Sequence, residues 1–124
     1  MNYLLSIWLD ERVMTDRSPE EARASMTRYD AFTREVREAQ VFVSGEGLDP
    51  TSSAKTLRVR NGGPEVTDGP FAETKEQLGG FYVLDCRDLD EAIAWAAKIP
   101  AAEVGSVEVR PVMEYERAGA ETSS

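Results

Sequence analysis

Along this chain the apolar residues switch twice from a dense strand-like pattern to a helical one and back. "NYLLSIWL", residues 2–9, is apolar in both alternating sets except at Asn2 and Ser6, which predicts a central strand covered on both faces. A polar loop follows. "SPEE" then supplies Ser18 as N-cap, Pro19 at the first helical position and Glu21 at the third, a complete capping box. Ala22, Met26, Tyr29, Phe32, Val36 and Ala39 recur at three- and four-residue spacing. They predict an amphipathic helix of about five turns with these side chains as its core stripe.

"VFVSGEGL" reads as a second strand ending in a glycine-flanked turn, and "DPTSSA" behind it as loop. Thr56 to Asp68 has the pattern of a hairpin, with Asn61 and Gly62 able to take positive φ. "GFYVLDC" is the next strand. Asp88 and Glu91 repeat the cap and third-position acid, and Leu89, Ala92, Ile93, Ala96 and Ala97 form a second helical stripe that Pro100 stops. "SVEVRPV" is the last strand, and residues 114–124, "EYERAGAETSS", form a polar tail expected to fray.

Residues 1–113 thus read as one α+β domain of order β-α-β, hairpin, β-α-β. This is a ferredoxin-like split βαβ plan with an inserted hairpin, antiparallel pairs and two helices on one face. Two helices cover only one face of such a sheet. Yet Tyr3, Leu5 and Ile7 are backed by Leu4 and Trp8, and Tyr82 and Leu84 by Phe81 and Val83. A second copy is the simplest cover for the other face, so a homodimer with facing sheets and an enclosed cavity is expected.

Composition narrows the function. The 124 residues are 41% hydrophobic and 30% charged, enough for one core without disulfides or metal. Lys and Arg number 14 against 23 Asp and Glu, a net charge of −9 with no basic stripe, so nucleic-acid contact is disfavoured. Cys86, the single cysteine, makes no internal disulfide or metal cluster and fits a reducing cytoplasm. The apolar start breaks at Asp10 and lacks a basic leader and a small-residue cleavage site, so neither signal peptide nor membrane span is expected. With no histidine, His-dependent triads, His-ligated zinc and the usual near-neutral proton shuttle are excluded.

Candidate chemistry concentrates in "TDGPFAETKEQLGGFYVLD", Thr67 to Asp85. A turn aspartate commonly accepts from the backbone N–H two residues on. Pro70 offers none to Asp68, which makes Asp68 the best catalytic candidate. Glu73 and Glu76 read either as acid, base or cation ligands beside an anion-holding Lys75, or as a solvated connection. Phe71 is expected to anchor this loop in the core, and Gly79-Gly80 to end a helical turn or give the strand a bulge.

Glu46 lies between Gly45 and Gly47 with no helix opening behind it, so this is no dinucleotide loop. It either aims a carboxylate into the same cleft as Asp68 or marks a bulge. Ser44 lacks the surroundings of a nucleophile elbow. Cys86 reads as a small, partly buried hydrophobe whose acidic neighbours raise its pKa. Tyr82 and Trp8 are candidates to face the dimer cavity and bind a ring. Carboxylates at 46, 68 and 73 have no EF-hand spacing, so no metal or cofactor is assigned.

"DGPFAETKEQLGGFYVLDCRDLDEAIAWAAKIP", together with "GEGLDP" and "GSVEVRPVM", resembles the DGPF branch of the YCII-related (YciI-like) proteins, from about Met1 to Met113. The resemblance implies the dimeric α/β-barrel version of the ferredoxin-like fold. The broader group is suggested to be enzymatic through a histidine in the first helix and an aspartate before a proline after the second. Here those places fall on Arg28 or Tyr29 and on Ile99, before Pro100, so the pair is absent. The branch is also similar to proteins found beside or fused to extracytoplasmic-function sigma factors, which implies an accessory role in transcriptional control.

Three functions follow: a dimeric ligand-binding or regulatory accessory protein with a small molecule or a sigma factor as partner; a cofactor-free enzyme in which Asp68, with Glu46 or Tyr82, moves protons on a small polar or aromatic substrate; or a dimeric interaction module without a ligand.

Overall fold

The computed structural model describes residues 1–114, and the tail from Tyr115 onward lies outside the described residues. Four strands, β1 (Asn2–Leu9), β2 (Phe42–Gly47), β5 (Gln77–Asp85) and β6 (Ser106–Pro111), form one sheet of order β2-β5-β1-β6. Every pairing in it is antiparallel. β1 is central, as its two-faced apolar pattern predicts, and the connectivity is that of the split βαβ plan.

Ser18 and Glu21 start α2 (Pro19–Glu38) with the predicted reciprocal pair: Glu21 N–H donates to the Ser18 hydroxyl, and Ser18 N–H to the Glu21 carboxylate. α3 (Leu89–Ala96) is capped by Asp88, which accepts from Glu91 N–H. The stretch after β1, read as polar loop, is instead a short helix, α1 (Glu11–Asp16). Asp10 caps it by accepting from Arg12 N–H, and Arg12 reaches back to the same carboxylate. This device is too local to leave an apolar period in the sequence.

Residues of α2 and α3 bury one sheet face. Leu5 and Leu84 from the central strands meet Phe32 and Val36 of α2 and Ala92 of α3, with Ile99 behind α3. β5 begins three residues before the predicted strand. Ile7 pairs with Gly80 and Trp8 with Leu78, so Gly79 is the extra residue of a bulge.

β3 (Lys55–Arg60) and β4 (Gly63–Asp68) make a separate two-stranded sheet. Asn61 and Gly62 turn it with φ of 52° and 77°, as their sequence predicts. Leu57, Val59 and Val66 of this hairpin are exposed. Phe71, expected in the core, is 77% exposed. The reason lies at Gly69: its N–H donates to Ala54 O and its carbonyl accepts from Thr56 Oγ1. The chain therefore leaves β4 tied to the hairpin base rather than turned into the core.

Candidate functional site

Of the predicted stripe on α2, only Phe32 and Val36 are buried, while Met26 is 67% exposed. The first half of the helix stands off the sheet. Beneath it lies a cleft of about 1310 Å³, also bordered by α1, the loop after β2 and the start of β5. Glu21, Ser25, Tyr29, Thr33 and Arg37 follow one another every fourth residue along α2, and all five line this cleft. Residues four apart form a single ridge on a helix surface, so the amphipathic helix presents a second, polar ridge beside its apolar stripe. Four-residue spacing of polar residues was the signal available in the sequence, and the apolar stripe masked it.

The floor is built on β5. Tyr82 is buried, and its hydroxyl lies 2.9 Å from that of Thr33. Its ring meets Phe32 edge-on at 5.0 Å between centroids. Gly45 permits this, since a Cβ there would lie 2.8 Å from Tyr82 Cδ1. Gly80 does the same for the backbone, where a Cβ would sit 2.8 Å from Glu46 O. Burial pushes the Tyr29 phenol above its ordinary value, and the neighbouring Tyr82 adds to this. Tyr29 is therefore protonated at neutral pH, a hydrogen-bond donor rather than a base.

Charged groups around the cleft are mostly engaged. Glu11 accepts from Thr51 N–H at 2.8 Å and Thr51 Oγ1 at 2.7 Å, which pins α1 to the loop after β2. Glu11 N–H donates to Gln77 Oε1 at 2.9 Å. Arg12 holds Asp10, whose carboxyl is lowered to about 2, first by the Arg12 side-chain hydrogen bond. Arg28 donates twice to Glu103, at 3.0 and 2.6 Å. Arg37 stacks over Phe42, 4.1 Å from the ring centroid. Arg17, half-buried, has no ion pair and no aromatic partner among the described residues.

The residues singled out in the sequence do not converge. Tyr82 forms the floor and Glu46, exposed, borders the cleft, whereas Asp68, Glu73 and Lys75 do not line it. Asp68 finds its missing partner in Lys55, across the hairpin, with its side chain 88% exposed. Lys75 lies near Asp10, whose carboxyl it helps to lower, and Glu76 accepts from Ser106 Oγ at 2.8 Å. The three carboxylates at 46, 68 and 73 do not assemble into a metal-holding group.

Tyr82 and Trp8, expected to share a cavity, lie on opposite faces of the sheet. Tyr82 pairs with Leu5 on the helix-covered face. Trp8 alternates with it and donates its indole N–H to Ser6 Oγ at 3.0 Å on the other face. Cys86 is buried, and its thiol is pushed up to about 11 by burial, with Glu91 and Asp85 adding to the effect. It is an inert core thiol.

An antiparallel sheet with helices on one face and an open cleft beneath the longest of them defines a small α+β protein. The chain belongs to the YCII-related domain family, whose model matches residues 1–116. A protein of Rhizobium meliloti (strain 1021), itself described as uncharacterized, is 44% identical over 117 residues, which span 93% of this chain and 94% of that one. Among the described residues no helix is long and apolar enough to cross a membrane.

Proposed function

We propose that this chain is a small-molecule-binding accessory protein that works as a homodimer, with the cleft beneath α2 as its ligand site. The observation that carries the reading is the stand-off of α2, where a core stripe is left facing open space beside a ridge of hydroxyls. Folding alone gives no return for holding Met26 and Ser25 over a void, whereas a ligand with an apolar body and polar ends fills it. Binding is favoured over acid-base catalysis by the state of the groups present. Glu11 is held by Thr51, Glu21 by Ser18 and Glu103 by Arg28, while Tyr29 keeps its proton.

Support for the dimer comes from the face of the sheet that carries no helix. Leu4, Trp8, Phe81 and Val83 are only half-buried there, an apolar centre suited to a facing copy in the dimeric α/β-barrel manner. Light scattering on the 13.7 kDa chain is expected to give twice that mass, reduced to a single chain by Leu4→Lys with Val83→Lys. A monomeric wild type overturns the dimer.

The ligand site is tested by screening small molecules for a rise in melting temperature. Ala22→Trp, which pushes an indole into the cleft from its apolar wall, is expected to abolish the rise, and its persistence overturns the site. The sigma-factor contact implied by the resemblance belongs to the same accessory role. Copurification of a sigma factor with the tagged chain tests it, and recovery of none counts against it.

A further inference from the structure

We infer that the cleft takes an amphipathic organic anion, its acidic group held by Arg17 and the Tyr29 hydroxyl and its apolar body laid against Ala22 and Met26. This rests on the reading of the cleft as a ligand site and names the chemistry that site selects.

Elimination among the cleft's arginines leads to Arg17. Arg12 is committed to Asp10 and Arg28 to Glu103, while Arg37, stacked on Phe42 with no side-chain hydrogen bond among the described residues, is exposed to solvent. Arg17 makes no such contact among the described residues, although it is half-buried at the end of α1. A guanidinium carries five donors and no acceptor, so an uncommitted one in a cleft calls for an acceptor, best a carboxylate or sulfonate taken through two nitrogens. Glu21, four residues on, feels the Arg17 charge but does not supply the acceptor: its carboxylate accepts from Ser18 N–H at 2.7 Å and forms no ion pair with Arg17.

The second donor is Tyr29. Arg17 and Tyr29 both line the cleft, and burial keeps the Tyr29 phenol protonated. A cation and a neutral O–H donor thus border the same space, and neither is ion-paired or hydrogen-bonded to an acid there among the described residues. Of the other carboxylates at the border, Glu11 is held by Thr51 and Glu103 by Arg28, while Glu46 is exposed to solvent at the end of β2 and makes no ion pair with Arg17. The chain's net charge of −9 does not prevent this. Exposed charges are screened over about 8 Å at physiological salt, so the local field of Arg17 governs inside the cleft. Ala22 and Met26 supply the apolar wall, facing open space where a core was predicted.

The test uses two probes with the same aromatic body, 8-anilinonaphthalene-1-sulfonate and uncharged N-phenyl-1-naphthylamine, titrated by fluorescence into the full chain. Both are expected to bind, the sulfonate more tightly. Arg17→Met weakens the sulfonate about tenfold, the loss of one charge-assisted contact, and leaves the amine unchanged. Ala22→Trp removes both. If Arg17→Met leaves the sulfonate unchanged while Ala22→Trp removes both probes, the anion is overturned and the cleft stands. If both probes bind the Ala22→Trp protein as before, the ligand site itself is overturned. Competition on the unaltered protein gives an answer independent of any variant's folding: octanoate displaces N-phenyl-1-naphthylamine at lower concentration than octanamide does, and equal displacement overturns the inference.

Discussion

The hydroxyls of Thr33 and Tyr82 lie 2.9 Å apart and join α2 to β5 across the floor of the cleft. This is the point where the helix that stands off the sheet is fastened to it by side-chain polar groups. It also marks the boundary between the packed half of α2, with Phe32 and Val36, and the open half with Met26. Tyr82→Phe keeps the ring against Phe32 and removes only that bond. A loss of about 1 kcal/mol is expected, read as a fall of about 4 °C in melting temperature. Adding Thr33→Val should recover part of the loss, because the orphaned hydroxyl goes as well. Strictly additive losses in thermal denaturation would show that the two hydroxyls are not coupled.

A second expectation concerns close backbone approach. At Gly105 a Cβ would lie 2.2 Å from Trp8 O and 2.9 Å from Leu9 Cδ2, whereas at Gly47 nothing lies within 4 Å. Gly105→Ala forces β1 and the turn before β6 apart and should cost about 2 kcal/mol or more. Gly47→Ala should leave urea unfolding almost unchanged. Equal midpoints for the two variants would contradict this packing.

Stability should fall at both ends of the pH scale. Asp10 is lowered to about 2, first by the Arg12 side chain. Glu21 is lowered by its hydrogen bonds from Ser18, and Glu103 by those from Arg28. Groups lowered on folding contribute fully above their unfolded values, near pH 4, and lose that contribution as pH falls through the folded ones. The N-terminal amine, raised above 8.0 by its hydrogen bond to Asp85, and Cys86, raised by burial from 9.0 to about 11, act in the opposite sense. Their contributions are complete below the unfolded values and vanish as pH rises through the folded ones. Melting temperature against pH should therefore decline below about pH 4 and again in the alkaline range, with Asp10→Asn flattening the acid limb. An unchanged acid limb in that variant would contradict the Asp10–Arg12 pair.

Asp68→Asn should change little. Its partner Lys55 is 65% exposed and Asp68 itself 88%, and exposed ion pairs of this kind contribute on the order of 0–1 kcal/mol. A ligand-induced rise in melting temperature should survive the substitution. Its loss would return the functional site to the hairpin.

These outcomes trace which parts of the molecule the sequence could show. Periodicity and capping were sufficient for the sheet, α2 and α3, because Ser18, Glu21 and Asp88 act on their own neighbours and the stripes of β1 and β5 are dense. The turn at Asn61-Gly62 was legible for the same local reason, and the bulge at Gly79 was one of the two readings its glycine pair allowed. Phe71 failed as a core anchor because its place depends on Gly69 bonding the distant Ala54. Asp68 failed to reach the cleft because Lys55, thirteen residues away, satisfies its carboxylate. Tyr82 was found as a candidate, but its face of the sheet was not, since both registers of β5 are apolar. The contributions of Thr33 and Arg17 became visible only once α2 was seen to stand off the sheet.

The central claim is that the cleft beneath α2, and not the hairpin, receives the ligand. Amide chemical-shift mapping during titration with 8-anilinonaphthalene-1-sulfonate tests it most directly. The account predicts that the shifted resonances cluster at Ser25, Tyr29, Thr33 and Gly80, with Lys55 to Asp68 unmoved. Shifts confined to the hairpin and Asp68, with α2 silent, would contradict it.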